Sequence, residues 1–158
     1  GICNGAAAVR RDVFNIIRYP EHIRNGEDLP VFAATLLHFP CRSLNETLLE
    51  VNAHAGRVRR NVEAIRHTAE QVIDELFDPA HLPESALQYR SLFAARKYLS
   101  MARSFYRSGY YAESRRYYYK AVRTQWRRMF NPTATGRFFK SFVRQGLALI
   151  GLDKRTVK

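Results

Sequence analysis

The sequence predicts a mainly helical α+β chain, and three observations point that way. Residues 1–54 carry a small-residue apolar run and a stretch of alternating apolar residues, both of the kind strands use, beside two short helical patterns. From Arg57 onward, apolar residues recur instead at steps of three and four. Proline and glycine breaks then divide that second part into a helix, a helical hairpin and a terminal helix.

The elements follow in order. "ICNGAAAV", residues 2–9, reads as a buried strand in which Asn4 and Gly5 let a partner approach the backbone closely. "RRDVFNIIRYP", residues 10–20, is a short amphipathic helix stopped by Pro20. After the loop "EHIRNGED" a helix runs from Asp28 to about Phe39 and closes at Pro40. "SLNETLLEVNAH", residues 43–54, alternates around Leu44, Leu48 and Val51 and reads as a second strand. Then "RVRRNVEAIRHTAEQVIDELF", residues 57–77, places Val58, Val62, Ile65, Ala69, Val72 and Leu76 on one helical face. "DPAHLPES" is a linker and turn.

A further helix starts at Glu84 or Ser85 and ends at Gly109, a natural C-terminal stop, and "YYAESRRYYYKAVRTQWRRMF" returns antiparallel to it. This pair, about 84–130, resembles a tetratricopeptide hairpin. Ala102, Tyr106, Gly109, Tyr110, Ser114, Tyr118 and Ala121 occupy the small and aromatic positions such a repeat uses. One repeat alone predicts a docked hairpin, since a free-standing array needs about three. The terminal amphipathic helix, about 134–151, puts Phe139, Phe142, Val143, Leu147 and Ile150 on one face and Lys140 and Arg144 on another.

Composition narrows the function classes. Hydrophobic residues at 46% and aromatics at 13% exclude a disordered chain. No apolar run approaches the roughly 18 residues of a spanning helix. Two cysteines, Cys3 and Cys41, are too few for a disulfide framework or a zinc knuckle, so free thiols in a reducing, cytoplasmic compartment are expected. The start "GICNGAAAVRR" has neither an initiator Met nor a signal-peptide pattern, and reads as an internal start within a larger gene product.

The net charge of +12 is unevenly spread. Residues 1–54 hold five basic residues against six acids, whereas residues 84–158 hold 17 against three. So basic a region is attracted to polyanions. Nucleic acid is an unlikely partner, because no recognition-fold signature accompanies the charges. An anionic membrane surface, met peripherally on its inner face, suits the basic amphipathic terminal helix better.

The stretch "RNGEDLPVFAATLLHF" delivers two adjacent carboxylates, Glu27 and Asp28, to the threshold of an apolar helix. Asp28 as a helix cap is the ordinary reading, although Pro30 removes one of the amides it would bind and capping accounts for only one of the two acids. With "NGAAAVRRDVF" upstream, "NGEDLPVFA" resembles the family 2 glycosyltransferases, whose nucleotide-sugar-binding fold is called GT-A. The resemblance covers residues 1–61, which it implies are the C-terminal part of a GT-A domain, with residues 62–158 a basic helical extension.

It also implies roles. Asp28 would be the general base that takes the proton of an acceptor hydroxyl, with Glu27 orienting the acceptor, in an inverting transfer from a nucleotide-sugar donor to a glycan or lipid-linked acceptor. A helix N-terminus favours negative charge at that place. In "HAGRVRRN", His54 would join a divalent metal site holding Mn²⁺ or Mg²⁺, while Arg57, Arg59 and Arg60 face the diphosphate. Asn4 and Gly5 would line the substrate site. The sequence departs from the family in having no Asp-x-Asp triplet. The donor-binding half is therefore expected to lie outside these 158 residues, which would not turn over alone. The competing reading is a noncatalytic helical module whose tetratricopeptide-like hairpin binds a protein partner.

Overall fold

The computed structural model describes residues 6–23, 26–47, 49, 50, 62–127 and 131–152. Among them the regular structure is all helical. A turn of 3-10 helix at Arg11–Asn15 precedes α1 (Asp28–His38), α2 (Val62–Leu76), α3 (Glu84–Leu87), α4 (Arg90–Arg107), α5 (Tyr111–Thr124) and α6 (Pro132–Leu149).

This corrects the α+β expectation. The described residues contain no strand, so they do not form the sheet on which half of a GT-A domain would be built. The physical reason is visible in the second expected strand, where residues 43–47, 49 and 50 are exposed and lack regular structure. A strand needs a neighbour to take its backbone N–H and C=O groups, and the alternation of Leu44 with polar residues supplies no such neighbour. The first expected strand fares alike at residues 7–9, where alanines bring little β propensity. The helix expected over residues 10–20 shortens to its five-residue 3-10 turn, which buries Val13.

Among the described elements, α4 and α5 pack against each other most extensively. The turn of this hairpin is a Schellman motif: Tyr110 N–H donates to the Phe105 carbonyl at 3.0 Å and Gly109 N–H to that of Tyr106 at 3.3 Å. Gly109 makes this possible by taking φ +84°. Small residues then let the helices close. Ala102 and Ala121 are buried, and the Ser114 hydroxyl donates across the interface to the Ala102 carbonyl at 2.8 Å. Phe105 and Tyr117 stack between them with ring centroids 5.2 Å apart. The single helix expected from residue 84 to Gly109 is broken between Leu87 and Arg90, where Tyr89 N–H bonds the Ala86 carbonyl in a tighter turn.

Two helices flank the hairpin. α2 buries Ala69, Val72, Ile73 and Leu76 and is tied to α5 by Arg66–Glu113 at 3.1 Å and by Glu70–Lys120. α6 begins with Asn131 capping the Ala134 amide at 3.0 Å and Pro132 in its first turn. It seats Phe138 on Tyr118, centroids 4.7 Å apart, and the Tyr118 hydroxyl bonds that of Thr135 at 3.0 Å. A separate small core of Val13, Ile17, Val31 and Ala34 lies under α1.

Candidate functional site

The "GED" turn sits where α1 meets the helical bundle. Gly26 adopts φ +95°, a conformation that disfavours any side chain, and its carbonyl accepts the Leu29 amide at 3.1 Å. This turn sets Glu27 at the cap position and Asp28 as the first helical residue. Glu27 makes no side-chain cap. Pro30 follows within the first turn, where its missing N–H costs nothing because those amides have no partner inside the helix. Both carboxylates are half-buried, and among the described residues neither accepts a hydrogen bond. Capping, the ordinary use of an acid here, is thus not how the turn employs them.

A lysine from α4 reaches the same turn. A Cβ placed on Gly26 would lie 3.4 Å from Lys97 Nζ and 3.4 Å from Val72 Cγ2, so the glycine lets the turn sit close against both α2 and α4. Burial pushes the Lys97 ammonium down from the ordinary lysine range, and the neighbouring Asp28 carboxylate pulls it part of the way back. The arrangement is a carboxylate pair at a helix N-terminus, backed by one desolvated cation. Sequence reasoning missed Lys97. The signal was its spacing: Ala94, Lys97, Met101 and Phe105 follow steps of three and four, which puts a cation on the buried face of α4.

The remaining predicted site residues, Asn4, Gly5, His54, Arg57, Arg59 and Arg60, lie outside the described residues. The structure therefore places Glu27 and Asp28 and does not bring the others to them. The divalent metal expected at His54 lies, with that residue, outside the described residues. No group of three His, Cys, Asp or Glu side chains converges among the described residues.

A second feature is an open groove of about 400 Å³ bounded by α2, α3, α4 and the end of α5. Its apolar floor includes Ile73, Leu87 and Ala94, and its rim carries Glu70, Asp74, Arg90 and Tyr98. The rim charges are already paired, Glu70 with Lys120 and Asp74 with Arg90. Burial first, and then these carboxylates, push the Tyr98 phenol up. Comparison with protein-family models, with curated proteins and with solved structures finds no match to this chain.

Proposed function

We propose that this chain carries the acceptor-activating turn of a glycosyltransferase that uses a nucleotide-sugar donor. The observation that carries the reading is the Glu27–Asp28 pair, set by Gly26 at the start of α1 with neither carboxylate spent on capping. In the reaction an Asp28 oxygen takes the acceptor's O–H proton. The acceptor oxygen forms the new bond to the anomeric carbon as the bond to the nucleotide diphosphate breaks, and that bond's electron pair leaves with the diphosphate. Glu27 orients the acceptor through a neighbouring hydroxyl. Lys97 stands against the turn from the bundle, as the cation that faces Asp28. The donor would be bound by polypeptide beyond the described residues, with Arg57, Arg59 and Arg60 toward the diphosphate.

The test is sugar transfer from a panel of nucleotide sugars by the polypeptide that contains these residues, wild type against Asp28→Asn. The variant is expected to lose at least about 10²-fold in kcat, the scale of general-base catalysis, with its helical content unchanged. Wild-type kcat in the variant removes Asp28 from the mechanism. A wild type that turns over no nucleotide sugar removes the enzyme reading altogether.

The groove between α2, α4 and α5 favours a second reading, the noncatalytic module that holds a protein segment. That reading gains if the wild type is inactive and a partner peptide protects the amides of α3 and α4 from hydrogen exchange.

A further inference from the structure

We propose that α6 docks on an anionic lipid surface through its outward face. A surface helix of a folded domain normally turns its apolar stripe inward. α6 carries a second apolar stripe outward. Its inward side packs Phe138 on Tyr118 and buries Ser141 fully, whose hydroxyl donates to the Phe138 carbonyl at 2.6 Å and accepts from Arg115 at 3.3 Å. Its outward side carries Phe139, Val143, Leu147 and Ile150 at steps of four, four and three, 64%, 66%, 37% and 66% exposed. The stripe continues past the helix end. Gly151 takes φ +74° and Leu152 N–H returns to the Leu147 carbonyl at 2.8 Å, a second Schellman turn that leaves Leu152 exposed.

Charge identifies the occupant. α6 contains no acidic residue, and Arg137, Lys140 and Arg144 run along one flank of the stripe. Arg103 and Arg107 of α4 stand close to Arg137: partial burial, and then these two neighbours, push its guanidinium below the ordinary range. Among the described residues no carboxylate pairs with Arg103, Arg107, Arg137 or Lys140. A second copy packed on this stripe would bring two such basic flanks together, at a cost. Nucleic acid would meet the cations and leave the stripe in water. An anionic bilayer satisfies both, with phosphates opposite the flank and the acyl boundary taking the phenylalanine and aliphatic side chains. No helix among the described residues is long and apolar enough to cross a membrane, so α6 lies on the surface.

The experiment is co-sedimentation of the full chain with vesicles of phosphatidylcholine alone or mixed with phosphatidylglycerol, over a salt series. Two variants made at exposed positions are compared: Phe139→Ser with Val143→Ser and Ile150→Ser, and Arg103→Glu with Arg107→Glu and Lys140→Glu. Wild type is expected to bind anionic vesicles at least about tenfold better than neutral ones at low salt, and to keep a fraction bound when salt screens the charges. The serine variant should lose that salt-resistant fraction, and the glutamate variant the preference for anionic lipid. Thermal melting of both variants checks that the fold survives. The proposal is overturned if wild type ignores anionic vesicles at low salt, or if both variants bind as wild type does. A dimer in sedimentation equilibrium that only the serine variant dissolves, without vesicle binding, overturns it in favour of a second copy.

Discussion

The α4–α5 hairpin and the segment before α2 both mix short apolar runs with polar residues, yet only the first becomes a dense core. In the hairpin every step is local. One Schellman turn closes the chain, Ser114 bonds Ala102 twelve residues away, and Phe105 stacks on Tyr117. Before α2 the described residues bury Val13, Ile17, Ile23, Val31, Phe32 and Ala34, while Leu36, Leu37, Leu44 and Leu49 remain exposed. A helix satisfies its own backbone and can pack on its nearest neighbour in sequence. A strand depends on a partner that the sequence must provide elsewhere.

The sharpest way to test this contrast is to empty each core in turn. Phe105→Ala removes the aromatic that joins both hairpin helices, and is expected to cost about 3–5 kcal/mol of unfolding free energy. Urea unfolding followed by circular dichroism measures it, and a loss below about 1 kcal/mol would mean that the hairpin does not dominate stability.

Val31→Ala opens a smaller hole in the minor core, with an expected cost of about 1–2 kcal/mol. Its effect should also differ in kind. Hydrogen exchange should speed up in α1 while the α4 and α5 amides keep their protection, because the two cores share no residue. Equal acceleration in all three helices would join the two regions into one cooperative unit.

This division explains what could be read from the sequence. The hairpin was legible because its information is local: Gly109 marks the stop, and Ala102, Tyr106, Ser114, Tyr118 and Ala121 are buried as their spacing required. Ala69, Val72 and Leu76 of α2 follow for the same reason. The strands were misread because alternation at Leu44 can indicate a half-buried strand only where another strand exists to pair with it. At the candidate site the carboxylate pair was legible as an excess of acid over what a cap needs. Lys97 was not, because it comes to Gly26 from about seventy residues along the chain, and only the packing of α4 on α2 brings it there.

Lys97 gives the smallest expected effect and a direct test of how the two regions couple. Its proton affinity in the folded chain is lowered by burial, so at pH values between its folded and unfolded values the unfolded chain binds more protons than the folded one. Stability therefore rises with pH through that alkaline window, as the cost of burying a charged ammonium is relieved. Tyr98 and Tyr117 act oppositely: each is raised by burial, so their contribution is complete below the ordinary phenol value and is lost above it. Lys97→Met keeps both tyrosines and removes only the lysine. The difference between wild-type and variant stability, measured by urea unfolding at a series of pH values from neutral upward, should thus move in favour of wild type as pH rises. A pH-independent difference would mean that Lys97 is solvated, and that the turn bearing Glu27 and Asp28 does not rest against the helical bundle.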